Sequence, residues 1–254
     1  MWNEKVVQAA LPLLEGRTIT DVVVGVSLVA VELDNGNVGV AYTLRQDLPA
    51  GCGAFTYIWD GLVGSPAADA AKLYYEGCNV LMRAIGCAVI NAAANDLDLP
   101  LDVANPPFDI EYKPTDKVAM IGLIAPTAKI IYEKTKNLYL FDYHIPAKEG
   151  LPDLCAIEDQ KTILPQCDIV IFSGTTTLNG TIETLLPLCT NAREVVIVGQ
   201  SATMFKEAWK GSGVTRIAGC TWKKEFKKEI FTNIARAGGT ASVLPYSIYN
   251  RVDL

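Results

Sequence analysis

Histidine is nearly absent: His144 is the only one in 254 residues. Catalytic zinc sites commonly draw on two or three imidazoles, so one chain of this composition builds no multi-histidine metal centre. The seven cysteines (52, 78, 87, 155, 167, 189 and 220) include no C-x-x-C pair. An odd number without paired spacing supports neither a disulfide framework nor a structural zinc site. Most of them read as small buried thiols. Cys52 is kept apart, because "AGCGAF" sets it in a glycine-flanked loop where a thiolate is reachable. Positive charge is in deficit, 22 Lys and Arg against 28 Asp and Glu, for a formal net charge of −6. That leaves no electrostatic footprint for nucleic acid or an anionic membrane. The lysines of "KKEFKKE" (223–229) are interrupted by glutamates at helical spacing and read as a solvated helix face. No apolar run approaches the roughly 20 residues of a membrane helix. The opening "MWNEKVVQAALPLLEG" has no apolar core of signal-peptide type, so a cytoplasmic protein is expected.

What is present is an ordinary globular mixture, 50% hydrophobic and 20% charged, long enough for one large domain or two smaller ones. Residues 2–15 carry a helical period. The stretch "TITDVVVGVSLVAVELDNGNVGVAYTL" follows with β-branched runs broken at Gly25 and at Asn35-Gly36, a dipeptide whose positions both tolerate positive φ. An antiparallel meander is expected there. Helical patterns then open at Ser65-Pro66 and run through "CNVLMRAIGCAVINAAAN". Pro100, Pro106, Pro107 and Pro114 make "LDLPLDVANPPFDIEYKPTD" read as a linker. Beyond it, apolar strands at 118–124, 138–142, 168–174, 194–199 and 214–219 alternate with segments of helical length, before a last helix and a short terminal strand. Such alternation indicates a parallel sheet covered on both faces. The expected fold class is α/β: a small α+β domain (1–98), a proline-rich linker (99–116) and a Rossmann-like, doubly wound domain (117–254).

That architecture places a site before any motif is found, because open α/β sheets bind ligands beyond the carboxyl ends of their strands. The strand ends here supply Gly122, Asp142, the run Ser173-Gly174-Thr175-Thr176-Thr177, and Gly199-Gln200-Ser201. Asn179 or Gly180 is placed to cap the next helix, whose first turn would offer N–H donors. Asp142 stands where such domains hold a polyhydroxylated group, with loop capping as the alternative role. His144, in "FDYHIP", is near enough to act as acid, base or ligand. From the first domain, Arg45 closes the third strand, where a guanidinium could fork onto an anion. Asn91 puts an amide into an apolar helix and needs a partner. Glu183 is read as complementing a helix dipole. The first βα turn, "GLIAPT", is not G-x-G-x-x-G, and no G-x-x-x-x-G-K-[ST] occurs, so ordinary NAD, FAD and P-loop nucleotide binding are disfavoured.

The order of a helix-rich "AIGCAVINAAAN" segment, a proline-containing linker and "LPQCDIVIFSGTTTLNGTIETLLPLCTNAREVVIVG" resembles the putative heavy-metal chelation domain family across nearly the whole chain, most closely over 164–199. The resemblance implies an N-terminal domain like the enolase N-terminal fold, then a Rossmann-like domain, with a cleft between them. It also implies handling of metal chelates, or condensation or hydrolysis of flavin-, pterin- or siderophore-like molecules. Gly174, Thr175, Thr176 and Asn179 match the family pattern. Leu123-Ile124-Ala125-Pro126 departs from it, since the family often has a histidine or aromatic residue beside that proline. Gln200 stands where the family tends to have proline.

Three readings follow. In one, Ser173, Gly174, Thr175, Thr176 and Gln200 hold the polar edges of a small chelating or heteroaromatic metabolite while Asp142 and His144 move protons. In another, the same cleft binds a metal chelate or its organic precursor without turnover, a metal ion or metal chelate being the cofactor expected. In the third, it holds S-adenosylmethionine with Asp142 at the ribose, although "GLIAPT" suits that cofactor poorly. The first two together are favoured. The expected partner is a small-molecule ligand, not nucleic acid or membrane, with a homodimer as the base-rate assembly. Valine at positions 175 and 176 is expected to weaken ligand binding and leave unfolding nearly unchanged.

Overall fold

The computed structural model describes residues 1–102 and 107–254, apart from the side chains at 52, 54 and 59. The reading of Cys52 as a reachable thiol, and the Pro106 part of the linker, therefore lie outside the described residues. After a first helix, Trp2–Leu14, the β-branched stretch forms the expected meander. Its strands are β1 (Ile19–Val24), β2 (Leu28–Leu33) and β3 (Val38–Tyr42), paired antiparallel in that order. Of the Asn35-Gly36 pair only Gly36 takes positive φ, at 79°. Its N–H donates to the Leu33 carbonyl at 2.8 Å and the Leu33 N–H donates to Asn37 at 2.9 Å, so the hairpin is closed through a single left-handed glycine. The helix Val80–Ala93 starts where predicted: the Asn79 side chain accepts from the N–H groups of Leu81 and Met82.

The second sheet has six strands in the order β5-β4-β6-β7-β8-β9. They are β4 (Val118–Ile121), β5 (Leu138–Phe141), β6 (Ile169–Ser173), β7 (Glu194–Val198), β8 (Arg216–Trp222) and β9 (Ser247–Asp253). Pairing is parallel from β4 to β8, whereas β9 runs antiparallel along β8. The terminal strand, expected to be short, has 7 residues. The fold is thus mixed α/β, a mostly parallel sheet joined to a small antiparallel one. Strand alternation accounts for its burial: Met120 and Ile171 face one apolar cluster, Ala119, Val170 and Phe172 the other.

The connecting helices are shorter than their sequence patterns. Ala125–Lys134 is complete, with proline in its first turn. The later ones shrink to Gln160–Ile163, Thr175–Leu178 and Ile182–Leu185, and 202–211 holds only the 3-10 turn Lys206–Trp209. Pro165 and Pro187 fall inside the next turns, where each removes an N–H donor. Gly211 and Gly213, at φ 75° and 90°, end the turn at Trp209.

One face of the large sheet packs into the same core as the Trp2–Leu14 and Val80–Ala93 helices. The other face is covered by Ala128 and Ile131 of the helix after β4 and by Phe108, Ile110 and Tyr112. Those three belong to the proline-rich stretch, which here contributes buried apolar groups. In the "KKEFKKE" segment Lys227 departs from a solvated face: its Nζ lies 2.6 Å from Asp21 on β1 and 3.4 Å from Glu32 on β2.

Candidate functional site

From β4 the chain moves to β5 on one side and then crosses to β6 on the other, so the gap between β4 and β6 is the switch point of the parallel sheet. A crevice opens there with a volume of about 70 Å³. Gly122, Asp142, Thr175 and Thr176, expected there as strand ends, line it together with His144 and Asn179, which were named on other grounds. Leu44 and Asp47, just after β3, form its opposite wall. A wider trough of about 440 Å³, between residues 4–9 and 207–208, is open to solvent and remote from the strand ends.

The floor is built by close approach. Gly122 has φ 86°, and a Cβ on it would lie 2.6 Å from the Ser173 Cβ. Ser173 Oγ accepts from the Thr175 hydroxyl at 2.9 Å, and the Thr176 hydroxyl donates to the Ser173 carbonyl at 2.8 Å. The third threonine turns away: Thr177 is buried and donates to the Gly174 carbonyl. Consecutive threonines therefore bond back onto the strand end and shape the turn, while Thr175 and Thr176 also face the crevice. Asn179 Oδ1 accepts from the Thr181 N–H at 3.1 Å and the Thr181 hydroxyl at 2.8 Å, which sets the next turn. Glu183 lies in the first turn of Ile182–Leu185, as expected for complementing a helix dipole, and its carboxylate also accepts from the backbone N–H of Trp2.

Asp142 holds its loop. One carboxylate oxygen accepts from Leu123 N–H at 2.8 Å, and the other accepts from the N–H groups of His144 and Ile145, both at 2.9 Å. Three N–H groups of the first βα turn are engaged within the protein. Gly122 N–H goes to the Phe141 carbonyl, Leu123 N–H to Asp142, Ile124 N–H to the Met120 sulfur, and Pro126 has none. His144 reaches across the crevice, with Nε2 3.3 Å from Asp47 Oδ1. Arg45 does not close β3; it begins a 3-10 turn beyond it, is exposed, and does not line the crevice.

The remaining expected residues tie the halves together beneath the crevice. A Cβ on Gly174 would meet the Ser201 and Ala202 backbone at 2.4–2.5 Å, so this glycine permits chain-to-chain contact. Ser201 Oγ accepts from Tyr42 N–H at 2.9 Å. The Asn91 amide donates to the carbonyls of Val40 at 3.0 Å and Gln200 at 2.8 Å, while its buried Oδ1 has no partner among the described residues. Gln200 thus contributes its backbone here, and none of Gly174, Gln200, Ser201 and Asn91 lines the crevice.

Among the described residues no group of three His, Cys, Asp or Glu side chains is placed to hold a metal ion. Burial pushes the thiols of Cys87 and Cys155 upward, those of Cys167 and Cys189 to about 12 and that of Cys220 to about 11. Thiols held protonated at neutral pH are poor metal ligands.

The crevice also contains residues that pattern reasoning passed over: Asp47, Tyr143, Gln160 and Thr181. Tyr143 sits between two residues chosen for chemistry, and only the position of its strand end could have flagged it. Gln160 carried no signal, because its segment reads as an ordinary helix. Asp47 lay two positions from the more conspicuous Arg45.

Two family models, both described as "Putative heavy-metal chelation", match residues 106–253 and 7–94. An uncharacterized protein of Methanocaldococcus jannaschii is 31% identical over 157 residues, and the match spans 56% of each chain. This chain therefore matches little more than half the length of that curated relative. Two crystal structures share the fold, each of a protein of unknown function. The one from Pyrococcus horikoshii has a TM-score of 0.83 at 21% identity, with both chains covered completely. The one from Desulfitobacterium hafniense has a TM-score of 0.78 at 20% identity, with 98% of each chain covered.

Proposed function

The chain belongs to the putative heavy-metal chelation family, and from that premise we propose that it binds, and in one reading processes, a small chelating or heteroaromatic metabolite in the crevice between β4 and β6. The observation that carries this reading is the convergence of Gly122, Asp142, Thr175 and Thr176 on the sheet's switch point, opposite Leu44 and Asp47. Polar groups from several strand ends with one cavity between them are the usual form of a site in this architecture.

The donor inventory decides how a metal would be carried. With no three-residue ligand set among the described residues and five thiols raised by burial, direct chelation by side chains is poorly supported. A metal is better accommodated as cargo already held by an organic chelator, which the protein recognises through its polar edges. Asp142, engaged by three backbone N–H groups, suits a positioning role better than a proton-transfer role. His144 is then the crevice's group for proton transfer in a catalytic reading. The methyltransferase reading gains little, because the N–H groups of Gly122, Leu123 and Ile124 are engaged within the protein.

Native mass spectrometry with elemental analysis, on protein purified anaerobically from its own host, tests the proposal. A retained organic molecule, with or without stoichiometric metal, supports it and names the ligand class. Metal retained in stoichiometric amount without any organic component would refute chelator recognition.

A further inference from the structure

The crevice has a charge and donor balance that narrows its ligand, and this inference rests on the crevice being the ligand site. Its lining includes two carboxylates, Asp47 and Asp142, and no lysine or arginine. The nearby Arg45 is exposed and does not line it. Several donors around it are already engaged. The hydroxyl protons of Thr175, Thr176 and Thr181 go to Ser173 Oγ, the Ser173 carbonyl and Asn179 Oδ1. The backbone N–H groups of Gly122, Leu123 and Ile124 are likewise spent within the protein. An anionic group entering here meets negative potential, which raises its desolvation cost.

Two further features show where a ligand would gain. Asp47 holds the imidazole of His144 at 3.3 Å, and the two side chains are 37% and 36% exposed, so an incoming cation can reach and replace that partner. Gln160 lines the crevice, is only 5% exposed, and its amide has no hydrogen bond among the described residues. The buried side-chain atoms without a partner do not include this amide, so it is open to the crevice, where a ligand can bond it. The volume of about 70 Å³ admits an end group rather than a whole heteroaromatic molecule.

We propose that the crevice takes the cationic, N–H-bearing end of its ligand, an amine, amidine or guanidine, seated on Asp47 in place of His144 and read by the Gln160 amide. Asp142 stays with its loop and adds negative potential without leaving its three N–H groups.

Acetamidinium, acetamide and acetate share one planar frame and differ in charge, and each is small enough to enter. His144, as the only histidine, gives one set of imidazole resonances to follow by NMR in the full chain. Acetamidinium is expected to move those resonances saturably at a concentration about tenfold below that needed for acetate, with acetamide between them. Asp47→Asn, a conservative change at a partly exposed position, is expected to abolish the preference with an unchanged unfolding midpoint. Acetate binding as tightly as acetamidinium would overturn the charge assignment, and so would a preference that survives in Asp47→Asn. Where no probe moves His144 but the host-derived ligand does, only the cationic assignment falls. Where neither moves it, the crevice reading falls too.

Discussion

Gly122→Ala tests the geometry on which the crevice depends. The backbone there has φ 86°, which costs an L-residue with a side chain about 1–2 kcal/mol. The new Cβ would also lie 2.6 Å from the Ser173 Cβ, an overlap of the kind that costs about 1–3 kcal/mol when a packed neighbour has to shift. Loss of unfolded-state freedom returns about 0.4–1 kcal/mol, so a net destabilisation of roughly 2–4 kcal/mol is expected. The two causes separate in a cycle with Ser173→Gly, which removes the colliding atoms and leaves φ unchanged. Urea unfolding of the four proteins, read as midpoint shifts at constant slope, should give a favourable coupling of about 1–3 kcal/mol. A Gly122→Ala protein within about 0.5 kcal/mol of wild type would refute the reasoning. A large loss with no coupling would mean that Ser173 does not press on residue 122 and that the floor is built differently.

The threonine substitutions no longer look neutral for stability. Thr176 is 3% exposed and donates to the Ser173 carbonyl, so Thr176→Val should cost about 1–2 kcal/mol, and Thr175→Val, at a half-buried position, about 0.5–1 kcal/mol. Chemical denaturation in which Thr175→Val proves the more damaging would contradict this order. Asp116 makes a pH prediction: burial pushes its carboxyl up, but hydrogen bonds from Arg193 and the Lys113 N–H outweigh it and hold the group below its usual value. A lowered carboxylate stabilises the fold above its unfolded-state pKa, near 3.9, and that contribution is lost as pH falls through the lower folded-state value. Asp116→Asn should therefore cost about 3 kcal/mol near neutral pH, the low end for a buried pair because Arg193 is 38% exposed. The gap in urea midpoints between the two proteins should narrow below about pH 4, and a gap that stays constant there would count against the assignment.

Periodicity was strong wherever burial is two-sided, because an apolar strand covered on both faces leaves few other ways to fold. Strands β4 to β8 each fall close to their expected positions for that reason. Helix length was less legible: the patterns at 154–167 and 180–191 have helical spacing, but proline divides them into single turns. The crevice divides the same way. Gly122, Asp142, Thr175 and Thr176 could be placed because strand ends have a fixed position in a parallel sheet. Asn91 was conspicuous as an amide in an apolar helix and Ser201 as part of a strand end, yet their carbonyl and N–H partners lie far away in sequence, and only the folded chain shows those bonds to be internal. Asp47 and Gln160 escaped notice for the converse reason. An aspartate in a loop and a glutamine in a helical segment are ordinary in sequence, and each gains meaning only from what it faces. Asp47 faces the imidazole of His144 across a gap between segments nearly a hundred residues apart, and Gln160 lines the crevice with no side-chain hydrogen bond among the described residues. The bonds of Asn91 and Ser201 close within the protein, whereas Gln160 opens on the crevice, where the proposed ligand would bond it.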